Sequence, residues 1–364
     1  MRILIINAIL YTNEDKIVRK VESVRDCMIC DLCDAFVEKG HHVTLIAAEE
    51  YRPIIDEKYR FDVVWMKSYL KSIFMANKIP FNLKIRNYLK NNEFDLVISS
   101  EIFSIDTLLA AITCPEKLII WQEMAFHQKM AKKLASKIWH NVILKLCYKD
   151  VRVIPRTYNA RKFISNYTSN ISENTIQHGV NLDKFECKLV KERIFIVSSQ
   201  LIARKRVDLV LKAFNEFCDK VSDEFVLYIA GDGNQKEELM ALATELNMMD
   251  NVVFLGKVEH TELIGYLKNA MAMLVYTEKD NSMISITESI AVATPVITTA
   301  IPDNSKYIKE HNLGIVSDNW GWQEMKQIVM NNDLYVNNCK AYRYIIDNKH
   351  NVDLFIQELE SLRG

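Results

Sequence analysis

Short apolar runs rich in Val, Ile and Leu alternate with helical patterns along the 364-residue chain, and the alternation starts afresh near its middle. Runs at 2–6, 42–47, 62–65, 96–99, 118–121 and 151–154 read as strands, and a second series follows at 193–197, 225–229, 252–255, 272–276 and 296–299. Strands that are apolar throughout are buried on both faces, which requires helices on both sides of a parallel sheet. The chain therefore reads as α/β with two tandem Rossmann-like domains facing across a cleft. Their expected bounds are 1–188 and 189–345, with a helix at 346–364 packing back on the first domain.

Length beyond a single hydrophobic core agrees with two domains. With 49% hydrophobic and 26% charged residues and a net charge of −1, the composition is that of a globular protein. No apolar run reaches the roughly 18 residues of a membrane span, and the chain opens directly on a strand, so a cytoplasmic location is expected. Cys27, Cys30 and Cys33 resemble part of an iron–sulfur run, yet they share one helical pattern and read as small core residues. Metal and cofactor are both expected to be absent.

Ten basic residues and one acid lie between Lys129 and Lys162, interleaved with Leu134, Ile138, Trp139, Val142, Ile143 and Leu146. A basic amphipathic helix of this kind suits an anionic membrane surface or a lipid-linked substrate better than nucleic acid, with Trp139 and Ile143 as the apolar part. The plainer alternative is a solvated helix with one core face.

The segment Asp280-Asn-Ser-Met-Ile-Ser-Ile-Thr-Glu288 sets two carboxylates eight residues apart across a loop-to-helix junction. In an open α/β sheet such a loop lies at the carboxyl edge of a strand, where ligands bind. Ser285 and Glu288 also fit a capping box, which would make the glutamate a purely local device. Arg204-Lys205-Arg206 opens the helix expected at 207–218, after the first strand of the second series, where cations oppose the macrodipole, so an anion is expected there on the free N–H groups. Nine glycines and no third glycine after Gly231-Asp-Gly233 exclude a dinucleotide fingerprint, and Walker, zincin and nucleophile-elbow motifs are missing.

Over residues 176–316 these features resemble the retaining GT-B glycosyltransferases of family 4. The matches are Gln177-His-Gly-Val-Asn-Leu-Asp-Lys-Phe185, Leu201 to Lys205 for an Arg-Leu…Lys-Gly segment, Ile229-Ala-Gly-Asp-Gly233, Val253-Phe-Leu-Gly256, and Asp280 through Glu288 to Pro295-Val-Ile297. The resemblance implies a nucleotide-sugar donor bound by the second domain, near Gly256 and Gln200. Glu288 would take the ribose hydroxyls, Lys205 with Arg204 the diphosphate, and the backbone of Met283, Ile284 and Ser285 the phosphate and sugar oxygens. Asp280 would orient the donor sugar. A histidine after the strand at 118–121 would touch sugar or acceptor, with His127, Gln122 and Glu123 as candidates.

The acceptor implied is a glycan or lipid-linked glycan held by the first domain, in cell-surface polysaccharide synthesis, without a metal. Departures are Gln200 in place of an arginine, Asp280 in place of glutamate, Ala293 in place of a common glycine with only a packing effect expected, and the polar loop at 11–22 in place of a Gly-Gly turn. An inactive accessory subunit, a sugar-nucleotide epimerase and a phosphorylase of the same fold are the rival readings.

Overall fold

The computed structural model describes residues 1–10, 21–25, 27–55, 57–69, 80–127 and 134–363. The polar loop at 11–20 and Lys129, Lys132 and Lys133 of the basic stripe lie outside them.

Among the described residues the chain divides into two compact units, Met1–Asn181 with Asn348–Gly364, and Leu182–Asp347. The first holds strands β1 (Arg2–Ile6), β2 (His42–Ala48), β3 (Asp62–Met66), β4 (Leu96–Ser100), β5 (Leu118–Gln122) and β6 (Arg152–Pro155). They form one parallel sheet in the order β3-β2-β1-β4-β5-β6. The second holds β7 (Ile194–Ser198), β8 (Val226–Ala230), β9 (Val252–Gly256), β10 (Ala272–Val275), β11 (Val296–Thr298) and β12 (Gly314–Val316) in the order β12-β11-β10-β7-β8-β9. Both orders reverse direction beside the first strand of the unit, which opens a crevice at that point of the carboxyl edge.

Alternate residues of each strand feed opposite faces, and both faces are apolar. Ile3 and Ile5 pack with Leu32, Phe36 and Trp121 on one side of the first sheet, and Leu4 and Ile6 with Ile46, Val97 and Ile120 on the other. In the second unit Val207, Val210, Leu211, Phe214 and Phe217 line one face of the helix Val207–Lys220. This spacing of three and four residues brings Phe217 edge-on against Phe195 of β7, 5.3 Å away. Cys30 and Cys33 are buried in the helix Met28–Glu38, their thiols pushed up by burial, as core residues.

The units part after Asn181 rather than after residue 188. Phe185 is buried and its carbonyl accepts from Arg343, which ties residues 182–187 to the second unit. The chain re-enters the first unit at Asn348, two residues later than expected. There the helix Asn348–Arg363 lays Val352, Phe355 and Leu359 into the core, with Phe355 edge-on to Trp121 at 5.5 Å. Lys39 pairs with Asp353 at 2.7 Å along its rim.

Candidate active site

At the crevice of the second sheet, the loops after β7 and β10 meet. The β7 loop is held by backbone contact: Ser199 N–H donates to Ala230 O at 3.1 Å, and Leu201 N–H to Asp232 O at 2.9 Å. A Cβ on Gly231 or Gly233 would strike the Ser199 or Leu201 backbone, so this glycine pair serves close packing of two loops. Gln200 is left exposed on top. The loop then turns through Ala203–Lys205, and Arg206 takes the left-handed conformation (φ 43°, ψ 42°), where the family pattern has the glycine of Lys-Gly.

This turn buries Lys205 and aims its Nζ at Asp280 Oδ2, 2.9 Å away. The same oxygen accepts from the Thr277 hydroxyl at 2.5 Å, while Asp280 Oδ1 accepts from Arg204 at 3.1 Å. Both oxygens of Asp280 are therefore engaged. Instead of presenting a carboxylate to a sugar, Asp280 is the counter-ion of Lys205. Nor are the three cations an open anion site, since Arg206 is held by Asp208 at 3.0 Å and Glu278 at 2.8 Å. Compensation within the loops removes the macrodipole conflict inferred from the sequence.

The following helix is Ile284–Ala291, with Met283 at its N-cap and no side-chain cap. Ser285 thus stands inside the first turn, and no capping box joins it to Glu288. Asn304, fully buried, clamps the helix start instead: its Oδ1 accepts the Met283 N–H at 2.7 Å and its Nδ2 donates to Met283 O at 3.2 Å. That takes Met283 off the expected set of backbone donors. The N–H groups of Ile284 and Ser285, which a helix start leaves unpaired, find no acceptor among the described residues.

Glu288, relieved of any capping duty, is 8% exposed and turns toward the helix His260–Asn269, where His260 Nε2 lies 2.8 Å from its Oε1. Gly256 ends β9 at φ 70° and accepts the Gly231 N–H at 2.7 Å. Ala293, fully buried, sits at φ 60°; its substitution for glycine strains the backbone and is more than a matter of packing. Asn304 and His260 carry no local sequence signal, because their partners are distant in the chain, whereas Thr277 stands only three residues before Asp280.

His127, in the first unit, lies in an internal aromatic cluster rather than at the sheet edge. Its Nδ1 is 3.0 Å from Ser136 Oγ and its Nε2 2.8 Å from the Tyr167 hydroxyl, with the His140 and Phe163 rings edge-on. Both ring nitrogens are engaged, which withdraws it from the candidate set. Gln122 is likewise buried, bonded to Ile102 N–H and Met124 O.

The carboxyl edge of the first sheet instead gathers Glu101, Glu123, Arg156 and His178. Arg156 stacks 3.9 Å over the Trp121 ring and donates to Glu123 at 3.1 Å and Ser100 at 2.9 Å. His178 Nε2 lies 2.7 Å from Arg156 Nη1. Burial and the adjacent guanidinium lower the His178 pKa, which suits a neutral ring accepting from arginine. Burial pushes Glu101 up to about 7 against the pull of Arg156, whereas the Arg156 guanidinium bonded to Glu123 overcomes burial and holds that carboxyl well below the usual carboxylate range.

Residues 181–352 match the family model described as glycosyl transferases group 1. The chain is a glycosyltransferase. It is 22% identical over 333 residues to an uncharacterized glycosyltransferase of Haemophilus influenzae, covering 87% of this chain and 88% of that one. It is 25% identical over 207 residues to the alpha-monoglucosyldiacylglycerol synthase of Streptococcus pneumoniae, 52% of this chain and 45% of that one. The Anabaena HepE structure in complex with UDP superposes with a TM-score of 0.68 over 99% of this chain and 100% of that one, at 12% identity. The glycosyltransferase thus has the GT-B fold of two Rossmann-like units. The family match contains the Lys205–Asp280 pair, the first turn of Ile284–Ala291, and Glu288.

Proposed function

We propose that this glycosyltransferase moves a sugar from a nucleoside diphosphate donor to a glycan or lipid-linked acceptor with retention at the anomeric carbon, in cell-surface polysaccharide synthesis. The observation that carries the donor reading is the convergence, at the switch point of the second sheet, of a buried Lys205 and two helix N–H groups that have no acceptor among the described residues. In the reaction the bond from the anomeric carbon to the diphosphate oxygen breaks with its electron pair on phosphate. Charge grows there in the transition state, and donors fixed beforehand stabilise it most. Lys205, held by Asp280 until the diphosphate arrives, and the N–H groups of Ile284 and Ser285 supply that field without calling on a metal. Glu288 takes the ribose hydroxyls.

The acceptor is assigned to the first unit, working at the inner membrane face. The helical stretch 134–147, with its π turn at Trp139–Ile143, supports this in altered form. Trp139 points inward, donating to Ile102 O at 2.8 Å and packing on Phe103, so it is no membrane anchor. Exposed instead are Leu134, Ile138, Val142 and Leu146, each four residues from the next, beside Lys137, Lys145 and Lys149. An apolar row with a basic margin fits an anionic bilayer surface. Among the described residues no helix is long and apolar enough to cross a membrane.

A thermal-shift panel of UDP, GDP, ADP and CMP tests the donor reading, because a ligand of the folded state raises stability with the logarithm of its saturation. One diphosphate is expected to stand out, and its sugar conjugates to release nucleotide faster when acceptor glycans are added. No shift with any of the four defeats the donor reading; release that never depends on acceptor favours an epimerase.

A further inference from the structure

Resting on the nucleotide reading above, we infer that His260 is a positioning residue that presents Glu288 to the ribose. Three observations carry it. The Glu288 carboxylate is almost fully enclosed on its helix between Thr287 and Ser289, both buried, yet its one hydrogen bond among the described residues is the contact to His260 Nε2 at 2.8 Å. That bond fixes Oε1 and leaves Oε2 as the acceptor available to a ligand. His260 is in turn fixed, as the first residue of the helix that follows β9 and its turn, with the buried Phe185 ring edge-on at 6.2 Å.

A glutamate side chain with one oxygen anchored loses little further freedom when a diol docks on the other. An unanchored one must be ordered by the ligand itself, and that ordering is subtracted from affinity. His260 therefore acts through Glu288 on the ribose hydroxyls alone, leaving diphosphate and base contacts untouched. The position is partly exposed, with 39% of the imidazole side chain open to solvent, so the ring is also placed to shield the new hydrogen bonds once a nucleotide is bound.

The test measures dissociation constants of UDP, GDP and ADP, and of their 2′,3′-dideoxy counterparts, for the parent protein and for His260→Ala, His260→Gln and Glu288→Ala. The tightest ribonucleotide is expected to bind His260→Ala roughly tenfold more weakly, the size of one lost hydrogen bond, while its dideoxy form changes less than twofold. Glutamine, which restores an N–H donor, recovers part of the loss, and His260→Ala adds nothing in the Glu288→Ala background. Equal weakening of ribo and dideoxy forms, or none, overturns the positioning role while leaving the nucleotide reading intact. A parent protein that binds none of the three overturns both.

Discussion

Removing the charge of Asp280 while keeping its shape, as in Asp280→Asn, isolates what the Lys205 pair does. The two side chains are 9% and 14% exposed and 2.9 Å apart. At an effective dielectric of 20 their attraction is about 6 kcal/mol, most of which offsets the desolvation of both ions. Taking away one partner leaves the lysine buried beside little but Met283 Sδ at 3.9 Å. Such unpaired buried charges lose about 3–5 kcal/mol; the asparagine oxygen still accepts one bond, and the expected loss is about 2–3 kcal/mol. Arg204, one-third exposed, adds less than about 1 kcal/mol because water screens it. Urea unfolding checks this loss, and the double variant with Lys205→Met should restore most of it. Inorganic pyrophosphate gives the decisive measurement: as a substitute counter-ion it should raise the melting temperature of Asp280→Asn more than that of the parent, and not that of Lys205→Met. Equal shifts in all three proteins would refute the idea that the diphosphate takes over from Asp280.

Ala293→Gly should lie within about 0.5 kcal/mol of the parent, since relief of the left-handed backbone, about 1–2 kcal/mol, balances the lost methyl and the freer unfolded chain; a packing-only role predicts a loss of about 1–2 kcal/mol in the same urea titration. Asp106 is buried with its pKa pushed up to about 7, mainly by burial, against one bond from the Asn82 N–H. A raised acid pKa means stability lost as pH climbs from the unfolded value through 7, so Asp106→Asn should be neutral near pH 4 and stabilising at pH 8. The gain is up to about 4 kcal/mol, trimmed by about 1 by the helix's positive end; a pH-independent difference in melting would contradict it. Serine at Ile138, Val142 and Leu146 should abolish the salt-resistant part of sedimentation with anionic vesicles, and glutamate at Lys137 and Lys145 the salt-sensitive part. Trp139→Ala should instead lower the melting temperature, and unchanged sedimentation in the serine variant would remove the membrane surface.

Strands were readable because doubly buried parallel strands are nearly continuous apolar runs, and β1 to β11 fall on the runs seen in the sequence. The short β12 escaped: three residues carry no period, and Gly314 is there because the Val296 backbone leaves no room for a side chain. Lys205, Asp280 and Glu288 were legible as a pattern of family resemblance, but their pairing was not. Lys205 and Asp280 are 75 residues apart and Glu288 and His260 28 apart, so only the fold brings them together. The capping box failed for the same reason, since Asn304, from the loop after β11, outbid the local serine. His127 was misread because nothing near it in sequence announces Tyr167 and Ser136, and Trp139 because a basic helix shows which residues are apolar, not which way they face.

The return of the helix Asn348–Arg363 to the first sheet makes assembly order a property of the chain. The second unit is one uninterrupted stretch, complete once Asp347 has been made. The first, although it starts earlier, carries an open apolar flank around Phe36 and Trp121 until Phe355 arrives. During synthesis the later half can therefore finish folding before the earlier one. A protein cut after residue 347 should keep a folded second unit attached to a sticky, aggregation-prone first one, and a free-standing first unit requires residues 1–181 to be spliced directly to 348–363.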